Sequence, residues 1–196
     1  PRIVPVMSLA MVMLYAGGMA LNDFFDRAID ANERPRRPIP SGRIPPRNAA
    51  VLGFGLLAGG AGFCAAFGLM PFIFGLALAT TIVLYNLLHA KWAGSVVLMG
   101  LCRALVYFTC ASAVTWPLAW RLVGPLGGVL MIYIIALSVI ARVEAKSSAG
   151  RRGWVAWLLP IIAISPLIVV RPAAWSWWPV AVGAVMLAWL VASMRH

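Results

Sequence analysis

Seven apolar stretches, near residues 4–21, 47–68, 71–89, 94–115, 122–141, 154–170 and 174–192, take up most of this chain. A helix needs about 20 apolar residues to cross roughly 30 Å of hydrocarbon, so each stretch has close to the length of a membrane span. Pro71, Pro117, Pro125 and Pro172 lie at the breaks, where a missing backbone donor costs least. Pro160 and Pro166 fall within the sixth stretch and predict a kink there unless neighbouring helices take up the freed backbone groups. Composition points the same way, with 63% hydrophobic and only 11% charged residues against roughly 25% charged in soluble domains. The expected fold is all-α: a polytopic transmembrane helix bundle of about seven helices, forming a single domain over residues 1–196. Because the chain opens at Pro1 inside an apolar region and stops abruptly at His196, the expectation is a truncated bundle, lacking an N-terminal helix and with room for a further C-terminal one.

A net charge of +11 brings nucleic acid to mind, but the position of the cations relative to the spans explains them better. Alternating the spans across a bilayer puts six arginines between residues 27 and 47 on one side, with Lys91, Arg142, Lys146, Arg151, Arg152 and Arg195. Only Arg2, Arg121 and Arg171 fall on the other, and the basic side is cytoplasmic by the positive-inside rule. The tryptophans agree, Trp92 and Trp154 near the inner boundary and Trp116, Trp120, Trp175, Trp177 and Trp178 near the outer one. The expected location is therefore the cell (inner) membrane, with the lipid bilayer as partner, no nucleic acid, and the polar loops on the cytoplasmic face. Cys64, Cys102 and Cys110 lie inside apolar runs without zinc or redox spacing, and His89 and His196 show no metal-site spacing.

Residues 22–43, NDFFDRAIDANERPRRPIPSGR, hold four of the chain's five acidic side chains beside the first span. At 100° per residue, Asn22, Asp23, Asp26 and Asp30 occupy an arc of about 100° on a helix, so one face can offer oxygen ligands to a hard divalent cation. Mg²⁺ favours one or two protein carboxylates together with waters and substrate phosphate oxygens, so this face reads as half a site completed by a diphosphate. The following loop, with Pro35, Pro38, Pro40, Pro45 and Pro46, is stiffened and too long for a simple connector.

NDFFDRAID followed by RPRRPIPSGR resembles the first aspartate-rich motif, N-D-x-x-D-x-x-x-D, and the adjoining R-P-x-R-P-[IL]-P-S-G loop of the UbiA superfamily of intramembrane prenyltransferases. The motif and loop are also similar to chlorophyll synthase, and together with the MGLCRAL segment they resemble the EboC-like branch of that superfamily. The resemblance implies that Asn22, Asp23, Asp26 and Asp30 bind Mg²⁺, which in turn holds the diphosphate of an isoprenyl donor. Arg37 and Arg43 are then expected at the phosphate oxygens, for which guanidinium geometry suits, although this loop equally suits a solvated surface among anionic lipids.

Tyr85-Asn86 with Lys91 resembles the family's Y-[ST]-x-x-x-K element, with Asn for Ser or Thr and a longer gap. Lys91 either steadies the leaving diphosphate or snorkels to the interface. Arg103 lies about 13 Å into its span at about 1.5 Å per residue, where it needs a polar cavity or a counter-ion; it pairs with Glu144 or an aspartate of the first motif, or contacts the diphosphate. The family's second motif, D-x-x-x-D, is lost: the corresponding loop reads ARVEAKSSAGRR, in which Glu144 stands among Arg142, Lys146, Arg151 and Arg152. That loop favours direct neutralisation of a diphosphate over a second metal ion. The implied function is Mg²⁺-dependent transfer of an isoprenyl or polyprenyl group to an aromatic or other lipophilic acceptor, with Asp23, Asp26, Lys91 and Arg103 as catalytic residues and Asn22, Arg37, Arg43, Tyr85, Asn86, Arg103, Arg142 and Glu144 contacting substrate. The alternative is a catalytically altered member that binds or carries an isoprenoid diphosphate or lipid.

Overall fold

The computed structural model describes the backbone of residues 2–114 and 118–146 and the side chains of 2–114 and 123–139. Its helices are α1 (Ile3–Phe25), α2 (Arg27–Glu33), α3 (Pro46–Ala65), α4 (Leu69–Leu88), α5 (Ser95–Ser112) and α6 (Leu118–Lys146), and no strand occurs among the described residues. Helices α1, α3, α4 and α5 are long and apolar enough to cross a membrane, and α6 carries an apolar segment over Val123–Val139. Five of the seven expected spans thus appear as helices. The last two, with Pro160, Pro166 and Pro172, lie outside the described residues.

Local chemistry accounts for the boundaries. Pro46 opens α3, where its missing N–H would have had no partner in any case. The turn from α3 to α4 passes through Gly68 at φ +115°, a conformation that a side chain would oppose. Pro71 lies buried in the first turn of α4, again where no helical donor is lost. The expected break at Pro125 is not there: this proline sits inside α6, which runs on past it. A helix in an apolar surround keeps its geometry through an isolated proline when neighbouring packing holds it, and α6 packs along α5.

Small residues set the contacts between helices. A Cβ added to Gly17 would lie 2.9 Å from the Gly53 carbonyl oxygen, and one added to Gly60 would lie 2.9 Å from the Ala10 carbonyl oxygen, so α1 and α3 run antiparallel with backbones nearly touching. Gly75 of α4 approaches Cys64 of α3, and Gly100 and Gly127 bring α5 and α6 together around Met131, Ile135 and Phe108, again antiparallel. Leu14, Leu21, Leu57, Leu78, Ala79 and Leu105 form the core between α1, α3, α4 and α5. Hydroxyls within the spans are satisfied one turn back: Thr81 donates to the Ala77 carbonyl at 2.7 Å and Thr109 to that of Leu105 at 2.7 Å. Val12, Val51, Leu52 and Leu69 stand exposed on the outside of the bundle, as lipid-facing residues do. Antiparallel alternation brings the C-terminal end of α1, the N-terminal end of α3, the C-terminal end of α4 and the N-terminal end of α5 to one end of the molecule.

Gly17→Leu should lower the thermal unfolding midpoint of the detergent-solubilised protein, by the roughly 1–3 kcal/mol that overpacking costs. Gly62→Ala, whose added Cβ meets nothing within 4 Å, should leave it unchanged. Equal melting of the two variants would contradict the close α1–α3 contact.

Candidate functional site

At this shared end α1 stops at Phe25, and Asp26 forms a turn, with φ −81° and ψ −2°, before α2 begins. Helical hydrogen bonding crosses the turn all the same, from the Asp26 N–H to the Asn22 carbonyl at 2.9 Å and from the Asp30 N–H to the Asp26 carbonyl at 2.8 Å. Arg27 turns back to donate to the Phe24 carbonyl at 2.8 Å, its guanidinium 4.6 Å from the centre of the Phe24 ring. The four oxygen-bearing residues therefore keep approximately helical spacing, and the structure divides their arc into two edges. Asn22 and Asp26 turn to α4, whereas Asp23 and Asp30 turn to the loop after α2.

On the loop edge, Arg37 Nη1 donates to Asp23 Oδ1 at 3.0 Å and to Asp30 Oδ2 at 2.7 Å. Asp30 is only 3% exposed, and a carboxylate so removed from water requires a cationic partner. Arg34 reaches the same carboxylate less closely, at 4.0 Å. The loop returns Arg37 to this position through successive turns: Arg37 N–H to the Arg34 carbonyl at 3.0 Å, Ser41 N–H to that of Arg37 at 2.9 Å, and Ile44 N–H to that of Pro38 at 3.1 Å. Gly42 supplies the left-handed residue, at φ +77°.

On the α4 edge, Asn86 is buried and bonded at both ends of its amide. Its Oδ1 accepts from Asn22 Nδ2 at 3.2 Å, and its own Nδ2 donates to the Gly18 carbonyl at 3.2 Å. One turn further, His89 Nε2 lies 3.0 Å from Asp26 Oδ1 and 3.2 Å from Oδ2, and Nδ1 lies 3.1 Å from the Asn86 carbonyl oxygen. The Tyr85 ring stacks on His89 with centroids 5.3 Å apart.

The expected ligands Asn22, Asp23, Asp26 and Asp30 are thus brought to one end of the bundle, but not converged on a point. Among the described residues no three His, Cys, Asp or Glu side chains are arranged to share one ion. Arg37 stands between Asp23 and Asp30, and His89 pairs with Asp26. The donor chemistry still suits Mg²⁺: hard carboxylate oxygens from Asp23 and Asp26, both partly open to solvent, with the remaining positions left to water or a phosphate-bearing ligand. Lys91, in the turn after α4, and Arg43, in the loop, are exposed. Arg103 is exposed on α5, and among the described residues no ion pair joins it or Lys91 to the aspartates. Arg142 and Glu144 belong to the end of α6, and their side chains lie outside those described. Sequence reasoning missed His89 as a partner of the motif. The available signal was its spacing, three residues after Asn86 and four after Tyr85, on one helix face.

Compared with known proteins, the chain matches the UbiA prenyltransferase family over residues 1–196. It is similar to a digeranylgeranylglyceryl phosphate synthase of Halobacterium salinarum, 32% identical over 188 residues, covering 90% of this chain and 65% of that protein. Proteins of the same name from Methanothrix thermoacetophila, 53% identical over 51 residues (26% of this chain and 19% of that protein), and Methanopyrus kandleri, 55% identical over 47 residues (24% and 17%), match shorter segments. The chain therefore spans less than two thirds of the length of these relatives. No solved structure matches it.

Arg37→Ala strips the buried Asp30 of its 2.7 Å partner and should destabilise the protein by roughly 1–3 kcal/mol, the cost of losing a hydrogen bond to a charged group. Arg36→Ala, at an exposed position of the same loop, should melt with the wild type. A thermal unfolding comparison in one detergent checks the pair.

Proposed function

The chain belongs to the UbiA prenyltransferase family, and from that premise we propose that it transfers an isoprenyl group from its diphosphate to a lipophilic acceptor. It is an integral membrane protein, and the charge asymmetry of its loops supports a cell-membrane location with the site on the cytoplasmic face. The observation that carries the reading is the meeting of the Asp23–Arg37–Asp30 bridge and the Asp26–His89 pair at one end of four apolar helices. Such a site can hold a charged head while the attached hydrocarbon stays among apolar side chains.

Asp23 and Asp26 would hold Mg²⁺, with Asn22 and Asp30 flanking them, and phosphate oxygens would complete the shell. When bound, the ion neutralises negative charge that grows on the departing diphosphate. Arg37 has donors to spare beyond the two Nη1 bonds made to the aspartates, and they suit phosphate oxygens. Lys91, Arg43 and Arg103 are cations available to the same charge, and Tyr85 and Asn86 set the wall beside it. The single carboxylate of Glu144 in a sequence segment with Arg142, Lys146, Arg151 and Arg152 supports direct neutralisation of a diphosphate by cations. Ionisation of the allylic C–O bond then leaves a cation that apolar surroundings shield from water until the acceptor attacks. The shared name of the relatives makes a geranylgeranylglyceryl phosphate the first acceptor to try, with an aromatic acceptor second.

The test uses purified full-length protein, labelled geranylgeranyl or farnesyl diphosphate, Mg²⁺ and each acceptor. Wild type should release diphosphate and form prenylated product, and Asp26→Asn should reduce the rate by roughly 10²–10³-fold, as loss of one electrostatic stabiliser does. An unchanged Asp26→Asn rate rules the mechanism out. Mg²⁺-dependent diphosphate binding without diphosphate release would favour a carrier, the reading that the altered second motif supports.

A further inference from the structure

We propose that His89 is a positioning residue that holds the Asp26 carboxylate in the direction needed for the metal-diphosphate head, an inference that rests on the diphosphate reading above. Asp26 differs from the other two aspartates of its motif. Asp23 and Asp30 are fixed from nearby in the chain by Arg37, 14 and 7 residues away, but Asp26 is reached from another helix, 63 residues away. It also occupies the turn between α1 and α2. Among the described residues, His89 is its only side-chain partner.

His89 is itself well anchored. Its backbone N–H ends α4 by donating to the Tyr85 carbonyl at 2.8 Å, its Nδ1 meets the Asn86 carbonyl oxygen at 3.1 Å, and the Tyr85 ring covers one face. With the ring held at these points, Nε2 lies within hydrogen-bond reach of both oxygens of Asp26, at 3.0 and 3.2 Å. A carboxylate accepts several partners, so this bond sets its direction and leaves lone pairs for a ligand. Removing a partner of this kind from behind a metal-binding side chain typically costs roughly 10–100-fold in affinity. The Asn86 contacts to Asn22 and Gly18 lie one turn away and hold α4 against α1 independently. Loss of the His89 ring therefore leaves the helices docked.

The test measures Mg²⁺-dependent binding of inorganic pyrophosphate to purified full-length protein in nanodiscs, by calorimetry, alongside thermal unfolding. His89→Ala should weaken that binding by roughly 10–100-fold while the melting temperature stays near wild type. His89→Gln, whose amide nitrogen reaches the place of Nε2, should recover much of the affinity, and His89→Asn, whose amide nitrogen corresponds to Nδ1, should not. In an Asp26→Asn background, His89→Ala should have no further effect. Unchanged binding in His89→Ala, rescue by Asn in place of Gln, or an equal loss in the Asp26→Asn background would each overturn the positioning role while sparing the diphosphate reading. Absence of Mg²⁺-dependent pyrophosphate binding by the wild type would remove that reading, and this inference with it.

Discussion

A carboxylate buried at the end of a helix bundle must meet a cation, and the pairing of Asp30 with Arg37 at 2.7 Å meets that demand. Much of the architecture at this end of the bundle follows from it. To deliver Arg37 the chain turns back immediately after α2, and the prolines and Gly42 hold that reversal in a run of hydrogen-bonded turns. The loop is thereby tied to the motif it follows, through a guanidinium that also spans to Asp23. A long connector so anchored is a wall of the site and not a tether between spans.

Behind this wall the helices supply rigidity without strong polar contacts. Glycines let α1 approach α3, and α3 approach α4, until backbones and small side chains touch. Thr81 and Thr109, inside the spans, bond to their own helices. Among the described residues, Asn86 reaches across helices, from α4 to Asn22 and to the Gly18 carbonyl, as Ser138 of α6 does to Met99 Sδ of α5, and the Asn86 bonds fix how far α4 slides along α1. His89 inherits its position from that register, and Asp26 from His89. The two edges of the acidic arc are consequently held by different means: one by an arginine of the adjoining loop, the other by a histidine of a packed helix. In the proposed reaction, this division would let one edge exchange partners with a phosphate while the other keeps its geometry.

The helices α1, α3, α4 and α5 were legible in the sequence to within a few residues, because a long apolar run in lipid has little choice but to hydrogen-bond to itself. Pro125 misled for the converse reason: a proline reads as a break when only local donors are counted, yet α6 continues through it with α5 alongside. The aspartate and asparagine positions were legible as one face of a helix. Their partition was not, since spacing alone gives Asn22 and Asp26 no reason to prefer α4 over solvent. His89 carried only its spacing after Tyr85 and Asn86 as a signal, and nothing local pointed to its partner 63 residues away.

Hydrophobic length, charge placement and the composition of the acidic segment are properties of neighbouring residues, so they were already present in the order of the amino acids: a membrane bundle, its basic face, and a cluster of hard oxygen donors beside it. Which cation answers which carboxylate is a different kind of property. It depends on the register of α4 along the parallel α1, and that register arises where side chains distant in the chain meet, at Gly18, Asn22 and Asn86. Hydrogen bonds a few ångströms long are sensitive to a slip of one residue, and no local pattern encodes that slip.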